Sequence, residues 1–288
     1  MPTVESFAII GGDLRFAYLA GALVSEGYRV ISTGLDEVAM APCVTGCTSV
    51  SQALALADAV ILPMPVSNDG VTLNAPFSHR SISVDTVLSE IGSEKILFGG
   101  APSIAVSEKL NERELVMYDY LAREELALQN AVPTAEGAIQ LAMEELPVTL
   151  AGAHCLVTGY GRVARALSEL LVAMRANVTV AVRKCADSAL AGMHGCETVR
   201  FSDMTLGGYD VIFNAVPHQI FTQEILEQIP RETLIIDLAS RPGGVDFNAA
   251  ARLQIKTIWA LSLPGRVAPK TAGYIIKDTL LNMLGEMT

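Results

Sequence analysis

Val157-Thr158-Gly159-Tyr160-Gly161-Arg162-Val163-Ala164 lies between two patterns of different period. Before it, residues 153–158 form an apolar run of strand length. After it, Val163, Leu167, Leu170 and Met174 recur at helical spacing. Gly159 suits a tight turn from strand to helix, Gly161 lets the backbone approach a pyrophosphate, and Ala164 permits close helix–strand contact. The helix N-terminus that follows attracts an anion. The same string is also compatible with a glycine-rich turn that binds nothing. Its position between strand and helix predicts a dinucleotide-binding unit.

Working outward, β-rich runs at residues 178–182, 198–201, 211–215, 234–238 and 257–260 supply five more strands, which together with 153–158 complete such a unit. The first half carries strands at 7–10, 29–32, 59–62, 95–98 and 115–118. Between the first two lies a helix over 14–26, with Leu14, Ala17, Gly21 and Val24 along one face. The predicted fold is α/β, with two Rossmann-like domains, the C-terminal one a doubly wound parallel sheet. Val132-Pro133-Thr134 marks the boundary, because proline suits a helix start, and a helix is expected over 138–146. Ile275, Ile276, Leu280 and Met283 form a stripe on a helix over 271–284, expected to return to the first domain. The expected domains are 1–132 with 271–288, and 133–270.

Composition sets the outer limits. The 288 residues are 51% hydrophobic and 18% charged, which excludes a disordered chain. Twenty basic residues against 31 acidic ones give a net charge of −11, and no basic stripe offers a path for nucleic acid. The mean hydropathy of +0.39 is high. The most apolar stretch, 53–66, nevertheless contains Asp58, Pro63 and Pro65 and is too short for a bilayer. Strands buried on both faces account for it. The N-terminus lacks the basic region of a signal peptide, and five scattered cysteines suit free thiols in a reducing cytoplasm. Cys43 and Cys47 have no second ligand pair nearby, so no metal is expected.

The end of the second strand of the dinucleotide unit selects the cofactor. An acid there pairs with the ribose 2′-hydroxyl, whereas Arg183-Lys184 suits a 2′-phosphate and points to NADP. A solvated basic pair is the alternative. Asn214-Ala215-Val216-Pro217 and Asp237-Leu238-Ala239-Ser240 end the fourth and fifth strands, where ligands bind in such sheets. The expected cofactor contacts are therefore Gly159, Tyr160, Gly161, Arg162, Val163, Arg183, Lys184, Asn214, Val216, Pro217, Asp237, Leu238 and Ala239.

With these motifs in place, the chain resembles the A subunits of dipicolinate synthase, an enzyme of bacterial spore formation. The resemblance is carried by residues 10–15 (IGGDLR), 61–63 (ILP), 130–137 (NAVPTAEG), 159–162 (GYGR), 237–247 (DLASRPGGVDF) and 263–273 (LPGRVAPKTAG). It implies NADP-dependent oxidation of dihydrodipicolinate, or its hydrated precursor, to pyridine-2,6-dicarboxylate. It also implies a partner, the flavoprotein-like B subunit, and a homo-oligomer is expected. Tyr160 stands where the family pattern has leucine. His79 and His218 match no family histidine, so neither is cast as the acid–base group.

A dicarboxylate substrate needs local cations. Arg241 begins a Pro-Gly-Gly loop after the fifth strand and suits a bidentate carboxylate contact; an ion pair with Asp246 is the alternative. Lys270 and Thr271 sit at a helix start, either toward the substrate or as plain caps. Arg15 is the candidate for the second carboxylate, or else a partner for Asp13. Pro65, Ser67, Asn130, Thr134 and Ser240 complete the expected substrate contacts. Glu136 is either a proton acceptor or the cap of its own helix. Arg241, Lys270 and Glu136 are the catalytic candidates. The competing readings are a dehydrogenase of D-2-hydroxy acids or amino acids, and a non-catalytic NADP-binding subunit of a complex.

Overall fold

A computed structural model describes residues 4–287. Among them, twelve strands and eleven α-helices divide into two compact units, one running to Gln129 and resuming at Ala268, the other Asn130–Val267.

The first unit begins with β1 (Ser6–Ile10), α1 (Leu14–Ser25), β2 (Arg29–Thr33), β3 (Thr45–Gly46), α2 (Val50–Ala55) and β4 (Ala59–Ile61). α3 (Val84–Glu90), β5 (Ile96–Gly99), α4 (Ile104–Glu112) and β6 (Met117–Asp119) follow. Its six strands are parallel in the order β3-β2-β1-β4-β5-β6. Alternate side chains go to opposite faces: Phe7, Ile9, Ala59, Ile61 and Phe98 join one core, while Ile10, Val60, Leu62 and Leu97 join another. Burial on both faces explains why the central strands β1, β4 and β5 read as apolar runs.

Next comes α5 (Glu124–Glu145), and the division between the units falls inside it. The helix expected to start near Pro133 instead starts at Glu124, with Pro133 in its interior. Proline there removes one backbone donor, and the Thr134 hydroxyl bonds the Asn130 carbonyl at 2.7 Å in the same turn.

The second unit continues with β7 (His154–Thr158), α6 (Arg162–Ala173), β8 (Asn177–Val182), α7 (Cys185–Met193), β9 (Glu197–Arg200) and β10 (Val211–Asn214). α8 (Gln223–Leu226), β11 (Leu234–Asp237), α9 (Phe247–Leu253), β12 (Thr257–Trp259) and α10 (Leu263–Val267) complete it. The parallel order is β12-β11-β10-β7-β8-β9, the same winding as the first sheet. Cys155, Val157, Val180 and Phe213 pack on one face with Ala164, Leu167 and Leu171 of α6. Leu156, Ala181, Ile212 and Ile235 pack on the other.

α11 (Pro269–Met287) belongs to the first unit, where Ile275, Ile276, Leu280 and Met283 enter the core of α1. The helices touch at Gly273: a Cβ there would come within 2.5 Å of the Arg15 carbonyl oxygen. Lys270 and Thr271 therefore lie in the first unit, whereas the expected second domain ran to 270.

Candidate functional site

The site is built at the carboxyl ends of β7, β8, β10 and β11. After β7, Gly159 adopts φ +81° and donates its N–H to the Ala181 carbonyl at 2.8 Å. A Cβ at this position would come 2.9 Å from Val216. Gly161 precedes α6 without offering a side-chain cap, and no atom lies within 4 Å of where its Cβ would be. Open space beside first-turn N–H groups fits a pyrophosphate, so these residues suit the dinucleotide. Arg162 and Val163 begin the helix here, with Arg162 exposed.

Tyr160 turns its side chain inward. Its ring is buried and its hydroxyl lies 3.3 Å from His194 Nδ1, with burial pushing the phenol above its ordinary range. Arg165, which the sequence did not single out, donates Nε to the Tyr160 carbonyl at 2.9 Å and lies over the ring. A cavity of about 380 Å³ opens here, walled by Gly159, Gly161, Arg183, Lys184, Val216 and Pro217. A second cavity of about 360 Å³ shares Arg183 and Lys184 and adds Ser188, Thr198 and Arg200. Arg183 and Lys184 are both exposed.

Asn214 and Asp237 require a correction: their side chains are fully buried and support the site from beneath. Thr158 Oγ1 donates to Asn214 Oδ1 at 2.6 Å, and Asn214 Nδ2 donates to Asp237 Oδ1 at 2.7 Å. Asn214 Oδ1 also accepts the Val216 N–H, and Asp237 accepts the N–H groups of Ala239 and Gly244. These contacts tie the ends of β7, β10 and β11 together and fix the loops after β10 and β11. Leu238 is half-buried against the core and Ala239 is buried.

Those loops hold Ser240 and Arg241 in solvent. The Arg241 guanidinium lies 5.7 Å from the Trp259 ring centroid. Asp246 instead caps α9, accepting the Ala249 N–H at 2.9 Å. Glu136 is exposed in mid-helix and cannot cap α5, which starts at Glu124. Asn130 Oδ1 is buried without a hydrogen-bond partner. Lys270 and Thr271 are exposed in the first turn of α11, with Lys270 Nζ 5.8 Å from the Tyr274 ring centroid. His218 is exposed beside Pro217.

The equivalent turn in the first unit is filled by protein. Gly11 donates to the Thr33 carbonyl at 2.8 Å, as Gly159 does to Ala181, but Gly12 donates to the Asn74 carbonyl at 2.9 Å. Asp36, beyond the end of β2, accepts the His79 N–H at 2.9 Å. Arg15 is buried; Nε and Nη2 clasp Asp13, and Nη2 also reaches the Met64 carbonyl. Ser67 is buried, donating to the Thr72 carbonyl and accepting the Gly70 N–H. Pro65 follows a cis peptide in the same loop. Arg15 and Ser67, expected to face substrate, thus hold the fold.

These features define a protein with an NAD(P)-binding domain and a dehydrogenase-like fold. The family model for the N-terminal domain of dipicolinate synthase A subunits matches residues 6–121, and a family described as NAD(P)-binding matches residues 146–251. The A subunit of dipicolinate synthase from Bacillus subtilis (strain 168) is 29% identical over 293 residues, covering 100% of this chain and 98% of the relative. The crystal structure of the Bacillus halodurans A subunit is 30% identical, covers 97% of each chain and superposes with a TM-score of 0.89. The corresponding crystal structure from Bacillus subtilis is 28% identical, with 99% of this chain and 97% of that chain covered and a TM-score of 0.87. The chain belongs to the family of dipicolinate synthase A subunits. Among the described residues, no helix is long and apolar enough to cross a membrane.

Proposed function

We propose that this chain oxidises dihydrodipicolinate, or its hydrated precursor, to pyridine-2,6-dicarboxylate with NADP. In this reading it is the cytoplasmic, homo-oligomeric A subunit of a sporulation enzyme, partnered by a flavoprotein-like B subunit. Family membership supports the substrate. The observation that carries the cofactor choice is Arg183-Lys184 following β8, where a ribose-binding acid would favour NAD.

Aromatisation of dihydrodipicolinate releases one hydride and one proton, and the hydrated precursor loses one water as well. NADP, when bound, supplies the hydride acceptor. The chain supplies orientation and charge. Arg241 presents a planar fork on a loop pinned through Asp237, suited to one substrate carboxylate. Ser240, Lys270 and Thr271 are the further candidates for anion contacts. Asn130 and Thr134, one turn apart on α5, are the remaining candidates for substrate contacts. Glu136, an exposed carboxylate, is the candidate proton acceptor.

The test is the absorbance of reduced nicotinamide when the isolated chain meets dihydrodipicolinate and NADP. Reduction is expected. Its absence both with and without the B subunit overturns the reading; reduction only in the presence of that partner assigns catalysis to the complex. Arg241→Ala should raise the KM for dihydrodipicolinate by about ten- to a hundredfold while leaving NADP affinity unchanged. Unchanged substrate kinetics would move Arg241 from the site to the scaffold.

A further inference from the structure

Arg200 closes β9 and stands in register beside Val182, the residue before Arg183. The pairing brings together three cations, one of them distant in sequence from the other two. Arg183, Lys184 and Arg200 line the cavity of about 360 Å³, together with the hydroxyls of Ser188 and Thr198, which are 2.7 Å apart. Asp203 is the one acid on its wall, and its carboxylate accepts from Ser202. The cavity also receives the start of α7, whose N-cap residue Lys184 makes no side-chain cap. Arg183 and Lys184 line the neighbouring cavity at the glycine turn as well, so a ligand reaching from Gly161 past these two residues enters the Arg200 cavity. Three exposed cations, a pair of hydroxyls and a helix N-terminus together recognise a phosphate monoester.

We propose that Arg200 is a specificity-determining residue that completes a 2′-phosphate subsite with Arg183 and Lys184. The inference rests on the NADP reading and adds to it a residue from a different strand. An arginine there binds two phosphate oxygens at once, which a single lysine cannot reproduce.

Fragments of the cofactor separate the two ideas. Binding of 2′,5′-ADP and 5′-AMP is measured by calorimetry on the full chain and on Arg200→Gln. The full chain should bind 2′,5′-ADP more tightly, and the variant should lose about tenfold or more of that preference with 5′-AMP affinity unchanged. A full chain without preference overturns the NADP reading itself. A variant that keeps the whole preference, or weakens on both fragments equally, overturns the role of Arg200 and leaves the NADP reading standing. Retained 5′-AMP binding also reports that the variant is folded.

A second readout uses Cys185, exposed in the same cavity with its sulfur 3.8 Å from Arg200 Nη2. Cys155 and Cys196 are buried, and burial pushes the Cys155 thiol up to about 12, so neither competes for an alkylating reagent. In the full chain, 2′,5′-ADP should slow alkylation of Cys185 and leave exposed Cys43 unaffected. Equal rates at Cys185 with and without 2′,5′-ADP would place the phosphate elsewhere and overturn the inference.

Discussion

Two sheets with one strand order end in opposite ways. Both wind as 3-2-1-4-5-6 in their own numbering, and both place a glycine with positive φ after the first strand, hydrogen-bonded to the end of the second. In the first sheet the connection between β4 and α3 is long, and its residues 73–82 lie over the turn. Gly12 and Asp36 bind its backbone, and a Cβ on Gly11 would meet Ala75 at 3.0 Å. In the second sheet the connection between β10 and α8 is short, and Gly161 faces space. The winding sets where a ligand can sit. Whether one does depends on how much chain is inserted after the fourth strand.

The sharpest attempt to break this contrast is Gly161→Val. A branched side chain would occupy the open turn, and dinucleotide affinity should fall by about a hundredfold, roughly 2.7 kcal/mol, with the melting temperature unchanged. Titration with and without the substitution checks it, and intact affinity would deny the second turn its role.

The mirror experiment is Gly12→Ala. Here φ is +103° and a Cβ would lie 2.4 Å from the Phe16 ring, so the expected cost is about 1–3 kcal/mol of stability. Thermal melting should record the loss, and dinucleotide affinity should not change. Lost affinity at normal stability would mean that the first turn holds the nucleotide instead.

The smallest expected effect lies at the opposite end of the first sheet. Asp58 accepts the Ser6 hydroxyl at 2.6 Å and the Glu5 N–H at 3.0 Å, and the Ser6 bond holds its carboxyl below the usual 3.8. A depressed folded value stabilises above the unfolded pKa, and that contribution is lost as pH falls through the folded pKa. Melting temperatures below about pH 4 should therefore fall less steeply in Asp58→Asn than in the parent chain. Parallel profiles would leave Asp58 without this part. Asp210 bonds the His154 N–H at 2.8 Å in the matching place of the second sheet.

The central strands were legible because burial on both faces leaves them mainly apolar, and the expected bounds lie within a few residues of those observed. β3 was not legible: Thr45–Gly46 is an exposed pair held by β2 and carries no apolar run. Pro133 misled the reading because a proline that suits a helix start also survives inside a helix. At the site, the turn at Gly159 and Gly161 could be read because each glycine has a geometric reason. Asn214 and Asp237 could not be separated from ligand contacts by sequence, since a polar residue at a strand end serves equally well beneath a loop or above it. Arg200 carried no local pattern at all; only the register of β8 with β9 brings it to Arg183.

α11 follows the entire second unit in sequence yet supplies the first unit's core with Ile275, Ile276, Leu280 and Met283. During synthesis, the chain up to Gln129 emerges before the helix that covers α1. The second unit is contiguous in sequence, while the first must wait for the last residues of the chain to cover the apolar face of α1. A released chain truncated after Val267 would carry the whole of the second unit and a first unit whose α1 lacks its cover. The exposed half, and not the cofactor-binding half, is the natural client for a chaperone.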